Sequence, residues 1–128
     1  MTMNYDMWWD WVHNIRVSTE DLMREFSFAQ ADFEVVQKHP RIYGKSAQRK
    51  YEKAREKMLE LIDWAIELSR NIDRAIEVGR AIPENQRHEN YEHLMMRLEQ
   101  AKESVAKVID YARRSGLLTN VKDGLKTT

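Results

Sequence analysis

Apolar residues recur along this chain at alternating spacings of three and four, the pattern of helices that bury one stripe. The first run is Tyr5, Trp8, Val12 and Ile15, which predicts a helix from about Asn4 to Arg16. A second run is Leu22, Phe26, Ala29, Phe33 and Val36, which predicts a helix starting at Ser18. Ser18 and Asp21 have the spacing of a capping box, with Asp in place of Glu, and Val17 and Leu22 that of a hydrophobic staple. Pro40 closes this helix, because the residue before a proline avoids the helical region.

The third run is the longest. Tyr51, Ala54, Met58, Leu61, Ala65, Leu68, Ile72 and Ala75 hold a heptad from an expected N-cap at Ser46 to about Ala81, where Ile82-Pro83 stops it. Gly79 is an alternative stop one turn earlier. A fourth helix, starting between Pro83 and Glu89, carries Tyr91, Leu94, Leu98, Ala101, Val105, Val108 and Ala112 up to Ser115-Gly116. Helices three and four share one short connection and so form an antiparallel hairpin, about 46–81 and 84–114. The expected fold is all-α: an up-down bundle of about four helices in three long arms, the first arm broken near Val17-Ser18. It fills one domain, 1–118, with 119–128 a polar, flexible tail.

Composition changes this picture little. Charged residues are 33% of the chain, as solvated helix faces require, and only 4 Gly and 2 Pro interrupt it. Absence of cysteine removes disulfides, thiolate catalysis and cysteine-based zinc sites. The start of the chain is acidic and Trp-rich rather than a basic-then-apolar leader, and no stretch has the length and apolarity of a membrane span. These features lead to the expectation of a cytoplasmic protein with no membrane contact.

The motifs that carry chemistry fail on geometry. Gly44-Lys45-Ser46 ends like a phosphate-binding loop, but His39 stands where the motif needs its first glycine, and no strand precedes it. His88 and His93 are five residues apart, about 140° around a helix, so they do not share one zinc. The pairs Glu60/Asp63 and Glu89/Glu92 resemble the acidic pairs that hold magnesium in all-α nucleoside triphosphate pyrophosphohydrolases. Their order is reversed, however, and the heptad register turns all four away from the seam. A metal-dependent nucleotide hydrolase is therefore only a minor alternative. No catalytic residue, metal site or cofactor is expected.

Charge is where the sequence becomes informative. The net charge is zero, but residues 1–37 carry 2 basic and 7 acidic side chains, whereas residues 38–57 carry 8 basic and 2 acidic. An up-down-up topology gathers Lys38, Arg41, Lys45, Arg49, Lys50, Lys53, Arg113 and Arg114 at one pole, with Tyr43 and Tyr51 among them. That is the electrostatic footprint of a phosphate or nucleic-acid binder. The opposite pole is acidic and holds Trp8, Trp9 and Trp11. Trp is enriched where proteins bind one another, so Met7, Trp8 and Trp11 are candidate partner-binding residues. Leu59 and Ile66 join them, because they widen the apolar face of helix three beyond its seam. The leading expectation is a non-enzymatic protein-interaction module (adaptor, inhibitor or assembly subunit) that binds a protein partner and can self-associate as a homo-oligomer. The alternative is nucleic-acid or nucleotide-phosphate binding at the basic pole, through Tyr43 and the eight cations.

Overall fold

A computed structural model describes residues 3–118, and the tail expected over 119–128 lies outside them. The described residues form an all-α bundle of three long helices, α1 (Tyr5–Lys38), α2 (Ala47–Ala81) and α3 (Tyr91–Arg114). Asn4 caps α1, its side chain accepting from the Met7 N–H at 2.8 Å.

The first arm is not broken. α1 runs unbent in its hydrogen bonding through Val17 and Ser18, so three helices replace the four expected. The residue responsible is Thr19. It takes the heptad position between Ile15 and Leu22, is 6% exposed, and donates its hydroxyl to the Ile15 carbonyl at 2.8 Å. A buried hydroxyl satisfied by its own helix costs the seam little. The two stripes therefore join as one, from Tyr5 to Val36, and the capping box at Ser18 has no helix start to cap.

Pro40 ends α1 as expected, and a 3-10 turn over Pro40–Ser46 leads into α2. Gly44 kinks that turn at φ 53°, a left-handed conformation that a side chain disfavours. Ser46 flanks α2 where the N-cap was expected, but its hydroxyl turns back to the Tyr43 carbonyl at 2.8 Å instead of capping. The Ala47 N–H is taken by the Gly44 carbonyl, so the turn itself begins the ladder.

α3 starts later than a Pro83 start would place it. Ile82 and Pro83 are extended, Glu84–Gln86 form one 3-10 turn, and the helix begins at Tyr91. Arg87 holds this connection. Its guanidinium donates to the carbonyls of Ile82 (3.0 Å) and Arg80 (3.2 Å) and lies 4.3 Å over the Tyr91 ring.

The arms run up, down and up. At one end Trp8 stacks on Tyr91 and Tyr5 hydrogen-bonds Asn90. At the other, Phe33 stacks on Tyr51, Lys57 pairs with Glu25 at 3.3 Å, and Tyr111 packs edge-on against Phe26. The core is the three heptad stripes, nearly every member of which is buried. α2 touches both other arms, so Ile62, Ile66 and Ile76 beyond its stripe are buried as well. Gly79 does not stop α2, which runs two residues further to Ala81, and the Trp8 indole fills the space a side chain there would take. No described helix is long and apolar enough to cross a membrane.

Candidate functional site

The partner-binding set divides on burial. Trp8 and Ile66 are core residues, 0% and 8% exposed, and are removed from any docking surface. Trp8 is spent inside the bundle. Its ring stacks on Tyr5 and Tyr91, and its indole N–H donates to the Ala75 carbonyl at 2.8 Å. Ile66 is covered because α2 is the central arm, contacted on two sides. Trp11 and Leu59 are half-buried against the core, and the Trp11 indole donates to the Asn71 side chain at 3.2 Å. Only Met7 of the five stands free, 56% exposed. The tryptophan-rich end is thus mainly the packing that holds the first turns of α1. Trp9, which shares no stripe position, is the exposed indole at 43%.

Three large apolar residues outside the expected set are exposed near the other end. Phe28 is 72% exposed and Val35 40%, two turns apart on one face of α1, and Ile42 in the following turn is 68% exposed. The sequence signal was present, since none of the three occupies a heptad position.

The basic set is only partly brought together. Tyr43, Lys50 and Lys53 line one groove of about 380 Å³ between α1 and α2, and Lys57 extends the row. Lys50, Lys53 and Lys57 sit at spacings of three and four, so helical geometry places their ammonium groups on one edge. Ala29, Asp32 and Val36 form the facing wall. Lys57 is paired with Glu25, whereas Lys50 and Lys53 make no ion pair among the described residues. Lys38, Arg41, Lys45 and Arg49 are exposed around this end but do not line the groove.

Arg113 and Arg114 are not part of that groove. α3 is the shortest helix, and its Tyr111 meets Phe26 and Glu34 of α1, so the last turn of α1 and the first of α2 run on past it. Arg113 instead approaches Asp110 of its own helix at 3.7 Å. Beside it, the Tyr111 phenol is held above its ordinary value by burial first and by the Glu34 carboxylate second. The Tyr5 phenol at the opposite end is raised for the same leading reason, burial, with Tyr91 and Asp6 adding to it.

Glu60, Asp63, Glu89 and Glu92 are all exposed, as the register required. The histidines are distributed rather than clustered. His88 packs 4.2 Å from the Tyr5 ring, while His13 and His93 line a separate cleft between α1 and α3. Among the described residues no three His, Asp or Glu side chains gather closely enough to hold a metal ion. A recess of about 700 Å³ between α2 and α3 is lined by charges of both signs, with Asp73 and Lys102 paired at 2.6 Å. No protein-family model, curated protein or solved structure matches this chain.

Proposed function

We propose that this chain is a non-enzymatic binding module whose basic end takes the phosphate backbone of a nucleic acid. What supports the reading is the groove of Tyr43, Lys50 and Lys53, where a lysine row and an aromatic ring converge on one cavity. Lysines neutralise successive phosphates and release their counterions, and an adjacent aromatic face takes an unstacked base. Asp32 across the groove limits the charge, so the exposed cations Lys38, Arg41, Lys45 and Arg49 supply the wider attraction. A cytoplasmic place of action goes with this reading.

The test is binding of a short labelled single strand and of its duplex by fluorescence anisotropy across a salt series. Affinity should fall linearly in log–log form with salt. Lys50→Glu/Lys53→Glu should flatten the duplex slope by about 1.8, roughly 0.9 for each lost phosphate contact. Absence of binding at low salt, or an unchanged slope in the double variant, would remove the reading.

A second reading is favoured by Phe28, Val35 and Ile42. Exposed large apolar side chains of this kind are where a protein partner or a second copy gains contact area. Light scattering on wild type and Phe28→Glu distinguishes self-association, and a monomer in both removes it.

A further inference from the structure

The cleft between α1 and α3 is lined by basic, amide and aromatic side chains. α1 and α3 run parallel in the up-down-up bundle. Trp9, His13 and Arg16 rise along one wall and Asn90, His93 and Arg97 along the other, around about 160 Å³. No carboxylate lines this cavity. An adjoining groove of about 330 Å³ shares Arg16, His93 and Arg97, and Glu20 enters only there. Two guanidinium groups and two imidazoles from different helices therefore converge beside an exposed indole.

The state of the two arginines specifies the ligand. Arg97 Nε donates to His93 Nε2 at 2.9 Å, which requires that imidazole nitrogen to be the unprotonated one. That bond orients the guanidinium and leaves its two terminal nitrogens to grip an oxyanion in a fork. Arg16 Nε is buried and has no hydrogen-bond acceptor, since the Glu20 carboxylate stands 3.7 Å away, beyond hydrogen-bond range. Glu20 is the one ion pair of Arg16 among the described residues, long and with both side chains largely solvated, so an incoming anion has only this weak pair to displace. Seven residues separate Trp9 from Arg16, about 10 Å along the helix. That interval suits a ligand with a phosphate at one end and a flat ring at the other.

We infer that the α1–α3 cleft binds a nucleoside monophosphate, its phosphate between Arg16 and Arg97 and its base on Trp9. The enclosed volume takes the phosphate and sugar, and the base lies at the mouth on the exposed indole. His13 and His93 line the cleft between the two. The site stands apart from the lysine groove, on a different pair of helices.

The experiment is titration of the full chain with AMP, followed by calorimetry and by tryptophan emission, with adenosine and inorganic phosphate as separate arms. AMP should bind saturably and quench emission, and adenosine should bind at least about tenfold more weakly, the worth of one well-made charged contact. Arg16→Ala and Arg97→Ala should each weaken AMP by about tenfold or more, and Arg97→Lys nearly as much, because lysine lacks the fork. Trp9→Phe should abolish most of the quench. Lys50→Glu/Lys53→Glu should leave AMP binding unchanged, which separates this site from the lysine groove. Both arginines are partly exposed, and circular dichroism should show an unaltered fold. No saturable binding at millimolar AMP would overturn the inference. So would equal affinity for adenosine, or AMP affinity indifferent to both arginines.

Discussion

Gly79→Ala tests the packing of the bundle because two physical effects at this site have opposite signs. Gly79 lies in the last turn of α2 and is still helical, so alanine is favoured over glycine by about 0.8–1.0 kcal/mol on helix propensity alone. Propensity thus argues for a more stable protein. Packing argues against it. A Cβ on Gly79 would stand 2.6 Å from Trp8 Cζ2, 2.8 Å from Cε2 and 3.0 Å from the Met95 sulfur. The methionine can yield, but the indole cannot. Its N–H is tied to the Ala75 carbonyl at 2.8 Å and its faces are stacked on Tyr5 and Tyr91. Ordinary contact requires the ring to retreat by about 1 Å, and overpacking of this kind costs about 1–3 kcal/mol. Losing the indole hydrogen bond in a buried site adds about 1–3 kcal/mol. Subtracting the propensity gain leaves a net loss of about 1–5 kcal/mol, or roughly 4–20 °C in Tm for a domain of this size. Urea unfolding followed by tryptophan emission measures it. In a Trp8→Phe background, which removes the colliding ring, the cost of Gly79→Ala should shrink by more than about 1 kcal/mol. A Gly79→Ala variant as stable as wild type, or more so, would refute the packing argument.

Other perturbations address the remaining joints. Ser18→Ala should be neutral or stabilising by about 0.5 kcal/mol, as in a helix interior, whereas a true N-cap would lose about 1 kcal/mol; chemical denaturation decides between them. Arg87→Lys should destabilise by about 1–2 kcal/mol, since lysine cannot bridge two carbonyls and cover the Tyr91 ring together, and thermal unfolding reads the loss. Tyr5 and Tyr111 have phenols raised above the ordinary value, so the unfolded chain ionises them first and stability should fall as pH climbs from about 10 through their folded values. Ultraviolet titration should show two late-ionising phenols, and Tyr111→Phe should lessen the alkaline loss.

The bundle was legible in the sequence because its heptads are nearly unbroken, but local capping signals of helix starts failed at Ser18 and at Ser46. Ser18 and Asp21 offered a helix start that the chain does not use. The overriding signal was phase. Ile15 and Leu22 are seven residues apart, so the stripes on either side of the supposed break are in register. Two separate helices have no reason to keep a common heptad across a break. Thr19 hid this, because a hydroxyl in a buried seam reads as polar until its bond to the Ile15 carbonyl is known. Gly79 offered a competing stop, but the helix ends at Ala81 before Ile82-Pro83, as expected. A glycine near a helix end reads as a stop, whereas here a tryptophan 71 positions earlier requires the missing side chain.

Surface chemistry was legible only where it is contiguous in sequence. Tyr43, Lys50 and Lys53 lie within eleven residues, so counting charge along the chain found them, and the groove they line joins them to α1. Arg113 and Arg114 were added by topology alone, and the shortness of α3 sets them apart. The α1–α3 cleft shows the opposite limit. Arg16 and Arg97 are 81 positions apart, and each sits in a segment where acidic residues balance the charge. Composition averages them away. They meet because three continuous heptads fix the register of α1 against α3, with Val12 and Leu94 at the base of the cleft. If α1 were broken at Val17-Ser18, its first half would be free to choose another register, and Arg16 would lose its fixed position opposite Arg97. The continuity that Thr19 preserves is thus the structural condition for the proposed phosphate site. A proline introduced as Ser18→Pro should therefore abolish AMP binding, while Lys50→Glu/Lys53→Glu should leave it intact.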